Sequence, residues 1–262
     1  MMELEMTLLG VGTSTGVPVV GCGCAVCRSD DPRDKRLRAS ALLRGPGLSV
    51  VIDTGPEFRL QMLAHGVTEL DAVLYTHAHI DHIGGLDDVR PYSFRSGRAV
   101  PLYGSEPTLE ALRRQFAYIW EAKQVGGGLP KVELRAVGAP FTAAGVRFTP
   151  VPLRHGNLPC LGYRVGDAAY LTDLSFIPDG SLPLLEGLET LVLDAVQARP
   201  HNTHFNLDEA LAAARRIGAR QTILTHMNHS LGYADLCRRL PPGITPGYDG
   251  LAFRVRVEED AS

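Results

Sequence analysis

The feature that most constrains this chain is a cluster of metal-binding residue types at the end of a predicted strand. An apolar run over residues 72–75 leads into His77, His79, Asp81 and His82, so four such side chains occupy six positions. Alternate side chains of an extended segment share a face, and His77 and His79 can therefore bind one cation together. Asp81 and His82, where the chain turns, can reach a second cation. Core packing or solvation rarely produces this density of imidazole and carboxylate groups.

A cation needs more ligands than one short loop supplies, and three further apolar runs each end in one candidate ligand. Residues 150–153 lead to His155, residues 168–171 to Asp173, and residues 221–224 to His226. Each of these residues alone would be weak evidence, but all three follow predicted strands, as the first cluster does. The sequence therefore predicts one metal centre assembled from His77, His79, Asp81, His82, His155, Asp173 and His226.

A second candidate metal site begins at Cys22. Cys22, Cys24 and Cys27 have the spacing C-x-C-x-x-C, which lets three sulfurs converge on one ion. Disulfide pairing is the alternative, but Cys22 and Cys24 are too close to bridge easily, and three is an odd number. We therefore expect one structural zinc, with His229 as the candidate fourth ligand.

Composition and charge are those of an ordinary globular protein. The 262 residues are 45% hydrophobic with a mean hydropathy near zero, and they can bury a large core as one domain. No apolar run approaches the roughly 18 residues that span a bilayer, and the acidic amino terminus does not resemble a signal peptide. We therefore expect a cytoplasmic protein with no membrane partner. The net charge of −3 argues against nucleic acid as a partner.

Strand-like runs and helical periodicity indicate a mixed α/β chain. Helices are predicted from Pro56 to His65, Glu106 to Lys123, Leu207 to Ile217 and Tyr233 to Leu240, with another after the pair Gly84-Gly85. Cys160 and Cys237 are expected to be small buried side chains. The predicted strands are Met6 to Gly10, Leu48 to Asp53, Ala72 to Thr76, Val100 to Tyr103, Val146 to Leu153, Gly162 to Val165, Ala168 to Thr172, Thr190 to Asp194, Gln221 to Thr225 and Leu251 to Val257.

The order of the metal-binding residues resembles the metallo-β-lactamase superfamily, in which His-x-His-x-Asp-His is followed by a separate His, an Asp and a final His. The resemblance runs through most of the chain and implies a four-layer αββα sandwich, an α/β fold, formed by a single domain over residues 1–262. It implies two active-site divalent metals, zinc or manganese, that share a bridging hydroxide. By this resemblance His77, His79 and His155 would bind the first metal, Asp81, His82 and His226 the second, and Asp173 both.

Further segments resemble phosphodiesterases of this superfamily that are similar to the phosphoribosyl 1,2-cyclic phosphodiesterase of the carbon–phosphorus lyase pathway. These segments are the glycine-rich stretch 10–18, the C-x-C-x-x-C cluster and the late segment 201–208. In those relatives a histidine of the late segment faces the phosphate and acts as general acid. His204 matches this position best, and His201 is the alternative. The resemblance implies catalytic roles for His204 and for Asp173.

The predicted function is therefore hydrolysis of a small or cyclic phosphodiester through a metal-bridging hydroxide. One alternative is a tRNA 3′-end ribonuclease of the same superfamily. Those enzymes insert a long arm between the ligands that match His155 and Asp173, and only 17 residues separate these two here. A glyoxalase-type thioesterase or lactonase is a second alternative, and a non-enzymatic metal-binding scaffold is a third.

Three other features bear on the site. Asp53 follows a predicted strand and either orients a metal-binding imidazole or caps the helix predicted at Pro56. The three glycines at 126–128 form a candidate lid over the metal centre. The loop from Gly16 to Cys27 is a candidate contact with a partner subunit in a homodimer.

Overall fold

The computed structural model describes residues 1–121 and 128–258 and contains two seven-stranded sheets. From edge to edge, the first sheet runs through β14 (Ala252–Val257), β1 (Met2–Gly10), β2 (Ser40–Gly45), β3 (Leu48–Ile52), β4 (Ala72–Leu74), β5 (Val100–Gly104) and β6 (Val132–Ala136). The second runs through β13 (Ile244–Pro246), β12 (Gln221–Thr225), β11 (Thr190–Asp194), β10 (Ala168–Leu171), β9 (Leu158–Val165), β8 (Val146–His155) and β7 (Phe141–Ala143).

Helices lie on the outer faces of both sheets. The sequence marks the two ends of α5 most clearly. Asn206 and Glu209 form a capping box at its start, and Gly218 takes the left-handed conformation at its end. None of the helices in the described ranges is long and apolar enough to cross a membrane. The α-helices are α1 (Phe58–Ala64), α2 (Ile80–Ile83), α3 (Arg90–Ser96), α4 (Glu106–Gln115), α5 (Leu207–Ile217) and α6 (Tyr233–Arg239).

Two hydrophobic cores arise because neighbouring residues of a strand point to opposite faces. Leu43 and Val50 pack with Phe148 of the second sheet in the core between the sheets. Their neighbours Leu42 and Val51 pack with residues of α1, α3 and α4 in a second core. The order of layers is therefore helix, sheet, sheet, helix, and the expected αββα sandwich is confirmed.

Parallel pairing brings the carboxyl ends of several strands to one edge of each sheet. In the first sheet β3, β4 and β5 are parallel, and in the second β10, β11, β12 and β13 are parallel. Residues that follow parallel strands lie close together, which is where such folds place their ligands. Asp53 and His77 follow β3 and β4, and Asp173 and His226 follow β10 and β12.

The helix expected after Gly84-Gly85 is present, because a 3₁₀ turn over Leu86–Val89 leads into α3, and the short helix α2 ends just before the pair. The pair also permits a close backbone approach, because a Cβ at Gly85 would meet the carbonyl oxygen of Gly55 at 2.3 Å. The helix expected to reach Lys123 ends at Gln115, where Phe116 leaves helical geometry and buries its ring.

Other differences concern short strands and one thiol. Strands β2, β6, β7 and β13 were not predicted, and Cys237 is exposed rather than buried. Cys160 is buried, as expected. The proposed lid at 126–128 falls mostly outside the described residues, as does the predicted end of α4 at Lys123.

Candidate metal centre

The first histidine group is formed by His77, His79 and His155. Their ring centroids are 4.6 Å apart for His77 and His79, 5.3 Å for His77 and His155, and 5.0 Å for His79 and His155. One nitrogen of each ring lies within 4.8 Å of a nitrogen of the other two. The Nδ1–H group of His155 donates to the carbonyl oxygen of Thr203 at 2.8 Å, which leaves its Nε2 as the available ligand atom.

The second group consists of Asp81, His82, Asp173 and His226. The Nε2 atom of His82 lies 3.1 Å from Oδ2 of Asp173 and 3.4 Å from Oδ2 of Asp81. The Nε2 atom of His226 lies 3.3 Å from Oδ1 of Asp173. The same Oδ1 atom is 3.8 Å from Nε2 of His77. The Asp173 carboxylate therefore lies between the two groups.

Asp53 orients one histidine of each group through hydrogen bonds. Its Oδ2 atom accepts hydrogen bonds from Nδ1 of His82 at 2.7 Å and from the Thr76 hydroxyl at 2.8 Å. Because the Thr76 hydroxyl donates to Asp53, its oxygen accepts from Nδ1 of His77, 3.0 Å away. The alternative role of Asp53 as a helix cap is wrong, since Glu57 takes the N-cap position of α1. Asp53 instead makes Nε2 the free nitrogen of both imidazoles.

The buried nitrogens of the centre fit bound cations. Within the described part of the chain, Nε2 of His77, His82 and His226 is buried without a hydrogen-bond partner. A buried polar atom without a partner is costly, and coordination to a cation would satisfy it. Imidazole nitrogens together with carboxylate oxygens suit zinc or manganese. The residues present therefore fit divalent metal ions.

Burial and neighbouring charges shift the pKa values of these groups in different directions. Burial opposes the charge on Asp173, but the imidazoles of His226 and His82 hold its pKa well below the usual range. Burial, followed by the nearby imidazole of His82, lowers the pKa of His77 well below its usual value. The carboxylates of Asp173 and Asp53 outweigh the burial of His82 and raise its pKa well above the ordinary value. The centre therefore keeps the Asp173 carboxylate charged, as a cation ligand requires.

Backbone strain is concentrated at the same strand ends. Asp53, Asp173 and His226 have φ values of 63°, 55° and 56°, in the left-handed region that residues with a Cβ rarely adopt. Each such residue costs about 1–3 kcal/mol and persists only where the surroundings fix it. These three are among four such non-glycine residues in the described chain, the fourth being Ala144 in a turn. The strained turns redirect the chain so that these side chains enter the site.

His204, the first of the two predicted general acids, lies close to Asp173 of the metal centre. Its Nε2 atom is 3.9 Å from Oδ1 of Asp173, and its Nδ1 atom is 2.9 Å from Oδ2 of Asp194. The alternative, His201, is exposed, with its ring 5.1 Å from that of His204. Asp194 was not among the predicted residues. Its place at the end of β11, between the strands that lead to Asp173 and His226, was the signal that could have identified it.

The structure brings Cys22, Cys24, Cys27 and His229 together at a second site. The sulfur of Cys22 lies 3.2 Å from Nδ1 of His229, and those of Cys24 and Cys27 lie 3.5 Å from it. All three cysteines are free thiols. The backbone N–H of Cys27 is the main cause that lowers the pKa of Cys24 to about 6, whereas burial raises the pKa of Cys27 to about 11. Three sulfurs and one imidazole suit a tetrahedral zinc ion.

Two mixed sheets with helices outside them and a His/Asp cluster at their common edge define a metal-dependent hydrolase. Residues 49–227 match the β-lactamase superfamily domain, and the chain belongs to this family. The expected superfamily and the expectation of a metal-dependent hydrolase are confirmed.

The chain is similar to one solved structure and to two named proteins. A crystal structure of a diphosphatase from the PhnP family has 45% sequence identity and a TM-score of 0.92, and the match covers 98% of both chains. Ribonuclease Z of Mycobacterium sp. (strain KMS) is 28% identical over 256 residues, 85% of this chain and 84% of the relative. A Porphyromonas gingivalis protein called octanoyltransferase is 39% identical over 253 residues, 95% of this chain, but the chain spans only 51% of that longer protein. Of these three proteins, the PhnP-family structure has the highest sequence identity to this chain.

Proposed function

We propose that this chain hydrolyses a small phosphodiester, linear or cyclic, at a pair of divalent cations. The observation that carries the proposal is the position of Asp173, whose carboxylate lies 3.8 Å from Nε2 of His77 and 3.1 Å from Nε2 of His82. These two imidazoles belong to different groups, so one carboxylate can contact two cations. A pair of cations about 3.5–4 Å apart is the arrangement that hydrolyses phosphate esters by in-line displacement.

The residues divide between two cation positions. When bound, the two cations, zinc or manganese, activate a water molecule and neutralise charge on the phosphoryl oxygens. Asp53 and the carbonyl of Thr203 fix the imidazoles that face the cations, so that little reorganisation is needed on binding. We assign one position to His77, His79 and His155, the other to Asp81, His82 and His226, and Asp173 to both.

His204 is assigned as the general acid that protonates the leaving oxygen. Its Nδ1 atom is held by Asp194, so its Nε2 atom is the one directed towards Asp173 and the site. A buried carboxylate at Nδ1 fixes the tautomer and the orientation of the imidazole. His201 is exposed and has no comparable orienting carboxylate within hydrogen-bond distance among the described residues. The geometry therefore favours His204 over His201.

We assign Cys22, Cys24, Cys27 and His229 to one structural zinc. The site joins the loop that follows Val17 to the turn that follows His226, two segments far apart in the sequence. In such sites the binding free energy of the metal is part of the folding free energy. The zinc would therefore stabilise the side of the molecule next to the active centre without taking part in the reaction.

A diphosphate bond is a second candidate substrate. The observation in its favour is the 45% identity to a PhnP-family structure described as a diphosphatase. Phosphodiesters and diphosphates both present a phosphoryl group and a leaving oxygen, so the same cations and the same general acid would serve.

An RNA substrate has less support from this chain. Between His155 and Asp173 the polypeptide forms only β9, β10 and their turns, so no arm that could hold RNA is inserted there. The net charge of −3 also gives no overall attraction to a polyanion. A small substrate therefore fits better than tRNA, despite the likeness to ribonuclease Z.

A substrate panel tests the proposal. Metal-free protein would be reconstituted with Zn²⁺ or Mn²⁺ and supplied with cyclic and linear phosphodiesters, a dinucleoside diphosphate, a precursor tRNA and a thioester. We expect the phosphodiesters to have the highest kcat/KM. Preferred turnover of the diphosphate would select the second candidate. Turnover of the thioester alone, or no turnover with both metal positions filled, would reject both.

A further inference from the structure

Arg36 is a buried arginine that clamps the turn carrying His229. Only 1% of its surface is exposed. Its Nη1 donates to the carbonyl oxygen of Asn228 at 3.0 Å, and its Nη2 donates to that of Leu231 at 2.5 Å. His229 lies between these two carbonyls in the sequence. One planar guanidinium therefore holds both ends of the turn that presents His229 to the three sulfurs.

The backbone of Arg36 is joined to the other half of the cysteine site. Its N–H donates to the carbonyl of Val17 at 2.7 Å, and its carbonyl accepts from the N–H of Val17 at 2.9 Å. Cys22, Cys24 and Cys27 all lie in the loop between Val17 and Arg36. The ammonium of Lys35 also donates to the carbonyl of Cys27 at 3.1 Å. Arg36 thus holds the base of the cysteine loop with its backbone and the His229 turn with its side chain.

The charge of Arg36 is balanced inside the protein. Oδ1 of Asp34 lies 3.2 Å from Nη2 of Arg36 and also accepts the N–H of Tyr233 at 2.8 Å. Breaking a buried charged pair leaves an uncompensated charge, so removing either partner alone is costly. A lysine could replace the charge, but not the two donors at a fixed angle that reach Asn228 and Leu231 together.

We propose that Arg36 is the positioning residue of the cysteine metal site, and that its fork of donors holds His229 where its Nδ1 atom meets the sulfurs of Cys22, Cys24 and Cys27. The proposal rests on the structural zinc assigned above. Residues that orient metal ligands typically change metal affinity by roughly 10–100-fold when they are replaced. We expect an effect of that size at the cysteine site.

Replacement of Arg36 should not disturb the active centre. His226 is three residues from His229, but the intervening Met227 is fixed by its own backbone bonds. Its N–H donates to the carbonyl of Val11 at 2.8 Å, and its carbonyl accepts from Thr13 at 3.3 Å. Loss of the guanidinium should therefore weaken metal binding at the cysteine site and leave the His77 to His226 centre filled.

The test compares Arg36→Lys with Arg164→Lys. Arg164 is a matched control, because its Nη1 also donates to two carbonyls, those of Leu184 at 2.8 Å and Glu186 at 2.9 Å, yet it contacts neither metal site. Co²⁺ bound to thiolates has a sulfur-to-cobalt charge-transfer absorption, which reports the cysteine site alone. Competition of Zn²⁺ against Co²⁺ at this absorption would measure the zinc affinity. We expect Arg36→Lys to lower it roughly 10–100-fold and Arg164→Lys to leave it unchanged.

A merely structural role predicts a different result. It would lower the Tm of the metal-free and zinc-loaded proteins equally, whereas a positioning role reduces the rise in Tm that zinc produces. If Arg36→Lys does not fold, Asp34→Asn, which keeps the oxygen acceptor but removes the balancing charge, should lower zinc affinity in the same direction by less. An unchanged affinity in the folded variants would overturn the proposal for Arg36. If the unaltered protein lacks the charge-transfer absorption, its sulfurs bind no metal. The assignment of a structural zinc would then be wrong.

Discussion

The Nδ1 atom of His204 donates to Oδ2 of Asp194 across 2.9 Å, and the same oxygen accepts the backbone N–H of Leu174, next to Asp173. One carboxylate therefore orients the candidate proton donor and also holds the segment that carries the candidate bridging ligand. Its other oxygen lies 3.7 Å from Nδ1 of His226. Because Asp194 is completely buried, water cannot replace it as the partner of these groups.

Replacement of His204 by alanine should slow turnover without removing the metals. A general acid contributes roughly 10²–10⁴-fold, so we expect kcat to fall by that amount with metal content unchanged. A nitrophenyl leaving group needs no proton, and the loss should be much smaller for a nitrophenyl ester than for an alkyl phosphodiester. Equal losses on both substrates would point to a role in positioning phosphate, and loss of a metal would make His204 a ligand.

Asp194→Asn should reproduce part of the His204 effect. Both N–H groups bond to the same oxygen, so the amide oxygen can replace Oδ2 and accept both, but these hydrogen bonds lose the charge of the carboxylate and hold the imidazole less firmly. We expect a smaller fall in kcat with the same dependence on the leaving group. The double variant with His204→Ala should be about as slow as His204→Ala alone, because residues that act as one unit are not additive. Multiplied losses would show that Asp194 acts independently of His204.

Asp173→Asn should remove the metal ions from the active centre. The amide retains the size of the carboxylate but loses the charge that both cation positions share, so metal content and turnover should fall together. The fold should largely survive, since Asp173 lies in a turn beyond β10. Elemental analysis and circular dichroism would measure both effects. Near-normal turnover at full metal content would remove Asp173 from the bridging position.

In the metal-free protein, Cys24 should be alkylated much faster than Cys27. Its pKa is lowered to about 6 and that of Cys27 is raised to about 11, so at neutral pH Cys24 is mostly thiolate and Cys27 is mostly protonated. The rate at Cys24 should rise with pH through about pH 6 and then level off. Peptide mapping after treatment with iodoacetamide would measure it. Zinc should protect all three thiols, and unchanged labelling after zinc loading would contradict the assigned site.

The strand-end residues were predictable because their signal is local. His77, His79, Asp81 and His82 stand within six positions, and Asp173 and His226 each follow an apolar run that forms a strand in the structure. Asp194 ends a strand in the same way, but a single aspartate without metal-binding neighbours carries no motif. Its role depends on His204, ten residues away across a loop.

Backbone geometry was the other part that could not be predicted. Nothing local shows that Asp53, Asp173 and His226 adopt left-handed conformations, because those conformations are imposed by the surrounding sheets. The end of α4 at Gln115 has a similar cause, since Phe116 leaves the helix as it buries its ring in the core beneath α4. The short edge strands β7 and β13 have too few residues for a clear alternation.

The sequence by itself determined which residue types stand at the ends of the strands, the mixed α/β pattern and the likeness to a superfamily. Only the tertiary structure decided which strand ends meet: that the Asp173 carboxylate lies between His77 and His82, and that Arg36 clamps the turn of His229. Cys22 and His229 are 207 positions apart, yet their ligand atoms lie 3.2 Å from each other. Such contacts depend on how the two sheets pack and on the buried polar groups that fix each turn, and short-range sequence patterns do not encode either.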